Sequence, residues 1–159
     1  MPFGRRLTRW LKPTEVLQSL TKLGGLTTTL YFKNIMYIFK FIEKGSGEIQ
    51  IDAFTELFES DHSYWSMEQY EKQWESAIVI IEKGDAAFFI ISVTDPKQSN
   101  FIRAWACYPI GKELVFQEHI IFLNELHEPF DIENPHKSMQ SYENISEDGC
   151  EISEWRTNK

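Results

Sequence analysis

The stretch SMEQYEKQWESAIVIIEKG, residues 66–84, decides the fold. Ser66 stands where a helix begins: its hydroxyl can accept an orphan amide of the first turn, and Gln69 can reach back to the Ser66 amide, as a capping box requires. Lys83 and Gly84 supply the stop. Between the caps Tyr70, Trp74, Ala77, Ile78 and Ile81 recur at helical spacing as one apolar stripe. The spacing predicts a helix over 66–83 with that stripe buried. Glu68, Glu71, Glu75 and Glu82 fall on the outer face, relieved mainly by Lys72, and Asp61 just upstream extends the acidic ridge.

Charge is distributed unevenly around this helix. Residues 1–35 hold six basic residues and one acid, a surplus of +5, whereas the rest of the 159-residue chain holds ten basic and 23 acidic residues, a balance of −13. A body of that sign repels phosphate and lacks the cations whose counterion release drives nucleic-acid affinity. It suits a basic protein partner, although acidity also serves solubility and alone decides little. With 42% apolar and 14% aromatic residues the chain has ample material for one core.

The break in composition near residue 35 suggests two parts. Residues 1–35 read as a basic extension in which the apolar run of a secretory leader is missing, and a mis-set start codon upstream of Met36 accounts for them. Val16, Leu20 and Leu23 leave room for a short amphipathic helix there. Residues 36–159 read as a single domain.

Around the helix the pattern is that of strands. Residues 37–42 and 48–52 frame a Gly-rich hairpin turn at 44–47, and 53–60 are ambiguous. Residues 86–94 are β-branched and aromatic, as a buried central strand is. Residues 101–108 alternate between two unlike faces, 109–112 read as a turn, and 113–123 as the next strand of an antiparallel meander. Asn134-Pro135 marks a break. Asp148-Gly149 predicts a hairpin joining 139–145 to 150–155. The expected class is α+β: an antiparallel β-sheet packed by the 66–83 helix.

Chemistry-bearing residues form no constellation. His62, His119, His127 and His136 lack metal-ligand spacing, so no metal or other cofactor is expected. Cys107 and Cys150 form no CxxC pair and read as free thiols, with a disulfide between them left open. Glu118, His119 and Asp148 are types that do acid–base work, but no nucleophile elbow, phosphate loop or metal set accompanies them, and an enzyme is not expected. The apolar runs are too short to span a membrane as a helix.

Read together, Ser63-Tyr64-Trp65, Tyr70 and Trp74, the segment Asn100-Phe101-Ile102-Arg103-Ala104-Trp105, the 115–123 strand, Asp148-Gly149 and Ile152-Ser153-Glu154-Trp155 resemble the immunity proteins of contact-dependent growth inhibition systems, the CdiI family. The resemblance covers roughly residues 60–157. It implies a cytoplasmic antitoxin that binds the C-terminal toxin domain of a CdiA effector, a ribosomal-RNA-cleaving nuclease in the subgroup concerned, on a fold related to Whirly single-stranded-DNA-binding domains. Residues 1–35 have no counterpart in it, and the C-terminal helix that it implies would lie beyond Lys159.

A nuclease grips RNA with a cationic cleft, which an acidic inhibitor can fill in place of phosphates. The toxin-facing residues are expected among Asp61, Glu68, Glu71 and Glu75, with Asp95, Glu113 and Glu118 at a sheet edge as the second choice. An ordinary solvated face explains the helix acids equally well. Trp65, Trp74, Trp105 and Trp155 read first as core, ahead of toxin anchors. The alternative function, a Whirly-like single-stranded nucleic-acid-binding module, would use them as a stacking platform but lacks neighbouring cations. Oligomeric state is not fixed by the sequence.

Overall fold

The computed structural model describes residues 37–159; the basic extension, with the short helix considered for it, lies outside the described residues. The chain opens with three antiparallel strands, β1 (Tyr37–Glu43), β2 (Ser46–Ile51) and β3 (Phe54–Glu59), in that order. Two-residue turns join them, with Gly45 at φ 87° and Asp52 at φ 49° taking the left-handed conformations that tight hairpins need. The first turn is confined to residues 44 and 45. Gly47 belongs to β2, where a Cβ would collide with the Phe58 ring and lie 2.9 Å from the Lys40 carbonyl oxygen. The ambiguous 53–60 stretch is β3, its Phe54, Glu56 and Phe58 turned toward the rest of the molecule and Leu57 outward.

The helix, α1 (Met67–Glu82), has the caps that its sequence encodes. The Ser66 hydroxyl accepts the Gln69 amide at 3.3 Å, the Gln69 side chain accepts the Ser66 amide at 2.9 Å, and Gly84 follows at φ 95°. Tyr70, Trp74, Ala77 and Ile81 are buried and Ile78 is half-buried, as their spacing requires; Gln73 is buried with them.

A second antiparallel sheet follows, in the order β4 (Ala87–Val93), β5 (Phe101–Ile110), β6 (Glu113–Phe122), β7 (Trp155–Asn158). The class is thus α+β, with the strands divided between two sheets. They meet face to face: Phe39 stacks on Phe89 with ring centroids 4.2 Å apart, Tyr37 meets Phe116 at 5.0 Å, and Phe54 stacks on Trp155 at 4.5 Å, beside the fully buried Trp105. The segment between β6 and β7 crosses the other face of the second sheet, where Tyr142 packs on Tyr108 at 5.4 Å.

Three details differ from the sequence expectation. The apolar β4 is buried but lies at an edge of its sheet, because side chains replace a neighbouring strand. Gln73 donates to the Phe88 carbonyl at 2.7 Å and accepts the Ile90 amide at 2.9 Å; Trp74 Nε1 donates to the Ile90 carbonyl at 2.7 Å; the Tyr70 hydroxyl accepts the Val93 amide at 3.0 Å. Ser60 Oγ donates to the Ile91 carbonyl and His136 Nδ1 accepts the Phe88 amide. An edge covered in this way has its backbone satisfied and offers no template for pairing.

Pro109, read as turn, pairs with Leu114 inside β5. Pairing with β4 ends at Cys107, so the missing amide of Pro109 falls where β5 is itself an edge. Finally, the Asp148-Gly149 turn forms, Gly149 at φ 79°, but its flanks make a single bridge, Ile145 to Glu151. Residues 139–142 are used in covering the sheet, and β7 begins only at Trp155.

The His136 cap makes the edge pH-sensitive. Burial pushes this imidazole below its ordinary 6.5, and only the neutral ring accepts at Nδ1. The unfolded chain therefore takes up a proton first, so this stabilisation is complete above pH 6.5 and is lost as pH falls. His119, pushed down by burial, adds in the same direction. Thermal melts from pH 8 to pH 5 should show stability declining below about 6.5, with a shallower decline in His136→Gln. An unchanged slope in that variant would contradict the assignment.

Candidate functional site

The acids singled out from the sequence do not form one cluster. Asp61 holds the lead-in of α1 against the end of β4: its carboxylate accepts the Ser63 amide at 2.7 Å and the Thr94 hydroxyl at 2.6 Å, while its own amide donates to Ser92 Oγ. Hydrogen bonds from Ser63 and then Thr94 hold its pKa down to about 2. The Tyr70 hydroxyl bonds to the Asp61 carbonyl at 2.6 Å, which fixes the start of α1 at the same place. Asp95 follows Thr94 directly and caps the next loop, accepting the Lys97 amide at 3.0 Å. Asp61, Asp95 and the first turn of α1 with Glu68 therefore share one end of the molecule.

Glu68, Glu71 and Glu75 continue from there along one side of α1 at i, i+3 and i+7. Glu68 pairs with Lys72 at 3.2 Å, an exposed i, i+4 pair worth only about 0.3 to 0.5 kcal/mol. Glu75 is exposed and Glu71 half-buried. Glu68 and Glu75 face solvent, while Glu71 borders the apolar stripe one heptad before the half-buried Ile78.

Glu113 and Glu118 lie elsewhere. Glu113 sits at the β5–β6 turn and binds Arg156 at 2.8 Å; Arg156 also binds Glu154 at 2.7 Å, and Glu154 accepts the Tyr142 hydroxyl. Burial alone would raise the Glu154 carboxyl, but hydrogen bonds from Tyr142, Arg156 and Gln117 hold it below its ordinary value. Asp95 lies beyond the opposite end of the sheet, a ten-residue strand or about 30 Å away. Glu118, midway along β6, pairs with Arg103 at 3.0 Å. Facing it from β3 is Glu56, whose carboxyl is raised by burial and by repulsion from Glu118, with Arg103 opposing the shift.

Sequence reasoning missed what adjoins this triad. Phe101, Ile120 and Phe122 are exposed, 48%, 55% and 43%, although each lies in a strand of the main sheet. Phe101 pairs with Phe122 and Arg103 with Ile120, so all share the face that carries Glu118. The signal was present in the Phe101, Arg103, Trp105 alternation, which separates two faces without saying which end of a face is covered. Of the four tryptophans read as core, Trp74 and Trp105 are buried and Trp65 and Trp155 half-buried against the core.

Glu118 and His119 point to opposite faces, His119 lying against Gln117 Oε1 at 3.2 Å, and Asp148 sits in the distant 146–149 turn. Among the described residues no group of three or more His, Cys, Asp or Glu is placed to hold a metal ion, and no helix is long and apolar enough to cross a membrane. Cys107 is buried and Cys150 exposed, both free.

Residues 60–159 match the family model described as the CdiI N-terminal domain. The chain is 31% identical over 113 residues to the immunity protein CdiI of Enterobacter cloacae subsp. cloacae, covering 70% of this chain and 77% of that one. Among solved structures it is similar to a chain of the CdiA-CT/CdiI toxin and immunity complex from Enterobacter cloacae, with TM-score 0.65 and 29% identity over 71% of this chain and 77% of that chain.

Proposed function

Since the chain belongs to the CdiI immunity-protein family, we propose that it binds the C-terminal toxin domain of a cognate CdiA effector in the cytoplasm and neutralises it, with binding as its whole activity. What supports this reading most is the likeness to a chain of a toxin and immunity complex, over three quarters of that chain's length. The physical chemistry is compatible with it. Residues 36–159 carry a balance of −13, and a nuclease, above all one that cuts RNA, presents cations that such a surface can occupy.

Growth is the direct test. Co-expression with its cognate CdiA toxin domain should restore growth that the toxin alone abolishes; continued arrest with both proteins soluble would overturn the reading.

The acids on α1 are proposed to act on encounter more than on final affinity, because exposed charges steer association while each adds little to a formed complex. Glu68→Lys with Glu75→Lys should leave the melting temperature nearly unchanged and lower the association rate with the toxin about tenfold at low salt. An unchanged rate would remove this side of α1 from the interface. The same acidity opposes nucleic acid. Anisotropy with labelled single-stranded DNA or RNA at low salt should give no binding tighter than about 10 μM, and tighter binding would favour the nucleic-acid module instead.

A further inference from the structure

The two edges of the main sheet are treated in opposite ways. Along β4 the outward backbone groups of Phe88, Ile90 and Val93 are taken by side chains of α1 and by His136. Along β6 the cover is partial, since pairing with β7 stops at Phe116. The Lys159 amide donates to the Lys112 carbonyl on the outer side, and the Leu123 amide donates to Asn100 on the inner side. Alternation then turns the backbone of Glu118, Ile120 and Phe122 outward, and these groups have no partner among the described residues.

Open edges in soluble proteins are ordinarily blunted by lysine, proline, a bulge or a covering segment. None of the first three is present here: Gln117 to Leu123 holds no Lys, Arg or Pro, its pairing with β5 is regular, and its side chains above the sheet are Glu118, Ile120 and Phe122 beside Phe101. The geometry points to strand addition: we propose that an extended basic segment of the toxin domain pairs with β6 at residues 118–122, an inference that rests on the immunity reading above.

The occupant follows from charge and pleat. A second copy of this chain would bring another body with a balance of −13, which like-charge repulsion opposes. A segment from a basic protein meets no such penalty. Side chains on one face of the added strand would land beside Glu118, Ile120 and Phe122 in turn, so the segment should carry one basic and two apolar residues at every second position. Main-chain bonds would supply affinity, and the Phe101, Ile120, Phe122 surface with its Glu118 and Glu56 rim would supply selection.

The test measures amide exchange by NMR in the full-length chain, free and saturated with the purified toxin domain. The Ile120 and Phe122 amides should exchange rapidly in the free protein and slow at least about tenfold in the complex. Ile120→Pro, which removes an outward amide and leaves the β5 ladder intact, should weaken toxin binding about 30-fold or more, with the melting temperature retained; Ile120→Thr keeps the amide and should bind more tightly than the proline variant. A complex in which these amides stay fast overturns strand addition and leaves the immunity function standing, whereas absence of any complex with the parent chain overturns the function itself. Amides already slow in the free monomer would assign the edge to the chain's own N-terminal residues, and slowing that grows with protein concentration would assign it to a second copy; either outcome overturns the proposal.

Discussion

Trp74→Ala is expected to destabilise the protein by about 3 to 5 kcal/mol, the range for truncating a large buried aromatic. Trp74 is 3% exposed and packs against Phe39, Phe41 and Phe58 at ring distances of 5.9, 5.0 and 6.1 Å, so one side chain joins α1 to the first sheet. Its Nε1 donates to the Ile90 carbonyl, which joins α1 to the second sheet as well. Truncation opens a cavity and also strands that carbonyl. Trp74→Phe separates the two effects: most of the packing is kept, and a loss of about 1 to 3 kcal/mol measures the orphaned carbonyl. Denaturant melts decide the matter, and a Trp74→Ala variant within about 1 kcal/mol of the parent would mean that the three layers do not meet at this ring.

Gln73→Leu should be as damaging, by about 2 to 6 kcal/mol, although it replaces a polar residue with an apolar one of similar size in a buried site. The reason is the pair of backbone groups that Gln73 serves: its amide nitrogen donates to the Phe88 carbonyl and its oxygen accepts the Ile90 amide, both buried. Leucine leaves both unsatisfied, at about 1 to 3 kcal/mol for each. The variant should also self-associate, because the stripped edge of β4 becomes a pairing template. Leucine at the exposed Glu75 on the same helix is the control and should change stability by less than about 0.5 kcal/mol. Equal melts for the two variants would show that β4 does not depend on the helix for its edge.

The role of Gln73 marks the limit of what local pattern reveals. Caps, apolar spacing and turn residues act over a few positions, which is why α1 with its Ser66 and Gln69 box, the buried stripe, and the β1–β2 and β5–β6 hairpins were readable from the chain. Gln73 stands outside the apolar stripe in the sequence pattern; only the arrival of β4 as an unpaired edge gives it buried partners. The same limitation made β4 look central, since a strand covered by side chains is as apolar as one between two strands. Residues 139–145 have the composition of a strand yet serve as a cover for the second sheet, a use that depends on a face built from β4, β5 and β6.

The functional surface was legible in sign more than in place. The surplus of acid over the 36–159 region is a property of composition, and the helix acids share a side because helical spacing puts them there. Asp61 and Asp95 were counted as surface charge, whereas hydrogen bonds to Ser63, Thr94 and Lys97 commit them to shaping a loop. Glu113 and Glu118 carry cations of their own, Arg156 and Arg103. The exposed Phe101, Ile120 and Phe122 escaped notice because alternation says which face a residue is on, not how far the opposing sheet extends over it.

Affinity for the toxin is the most direct measure of what the protein does. A catalytic toxin that is even slightly free continues to act, so protection requires tight capture. Titration calorimetry of the full-length chain with the purified C-terminal domain of its cognate CdiA effector should give a one-to-one complex with Kd of about 1 nM or below, near −12 kcal/mol. A Kd weaker than about 1 μM, with both proteins folded, would contradict the assignment of this protein as that toxin's inhibitor.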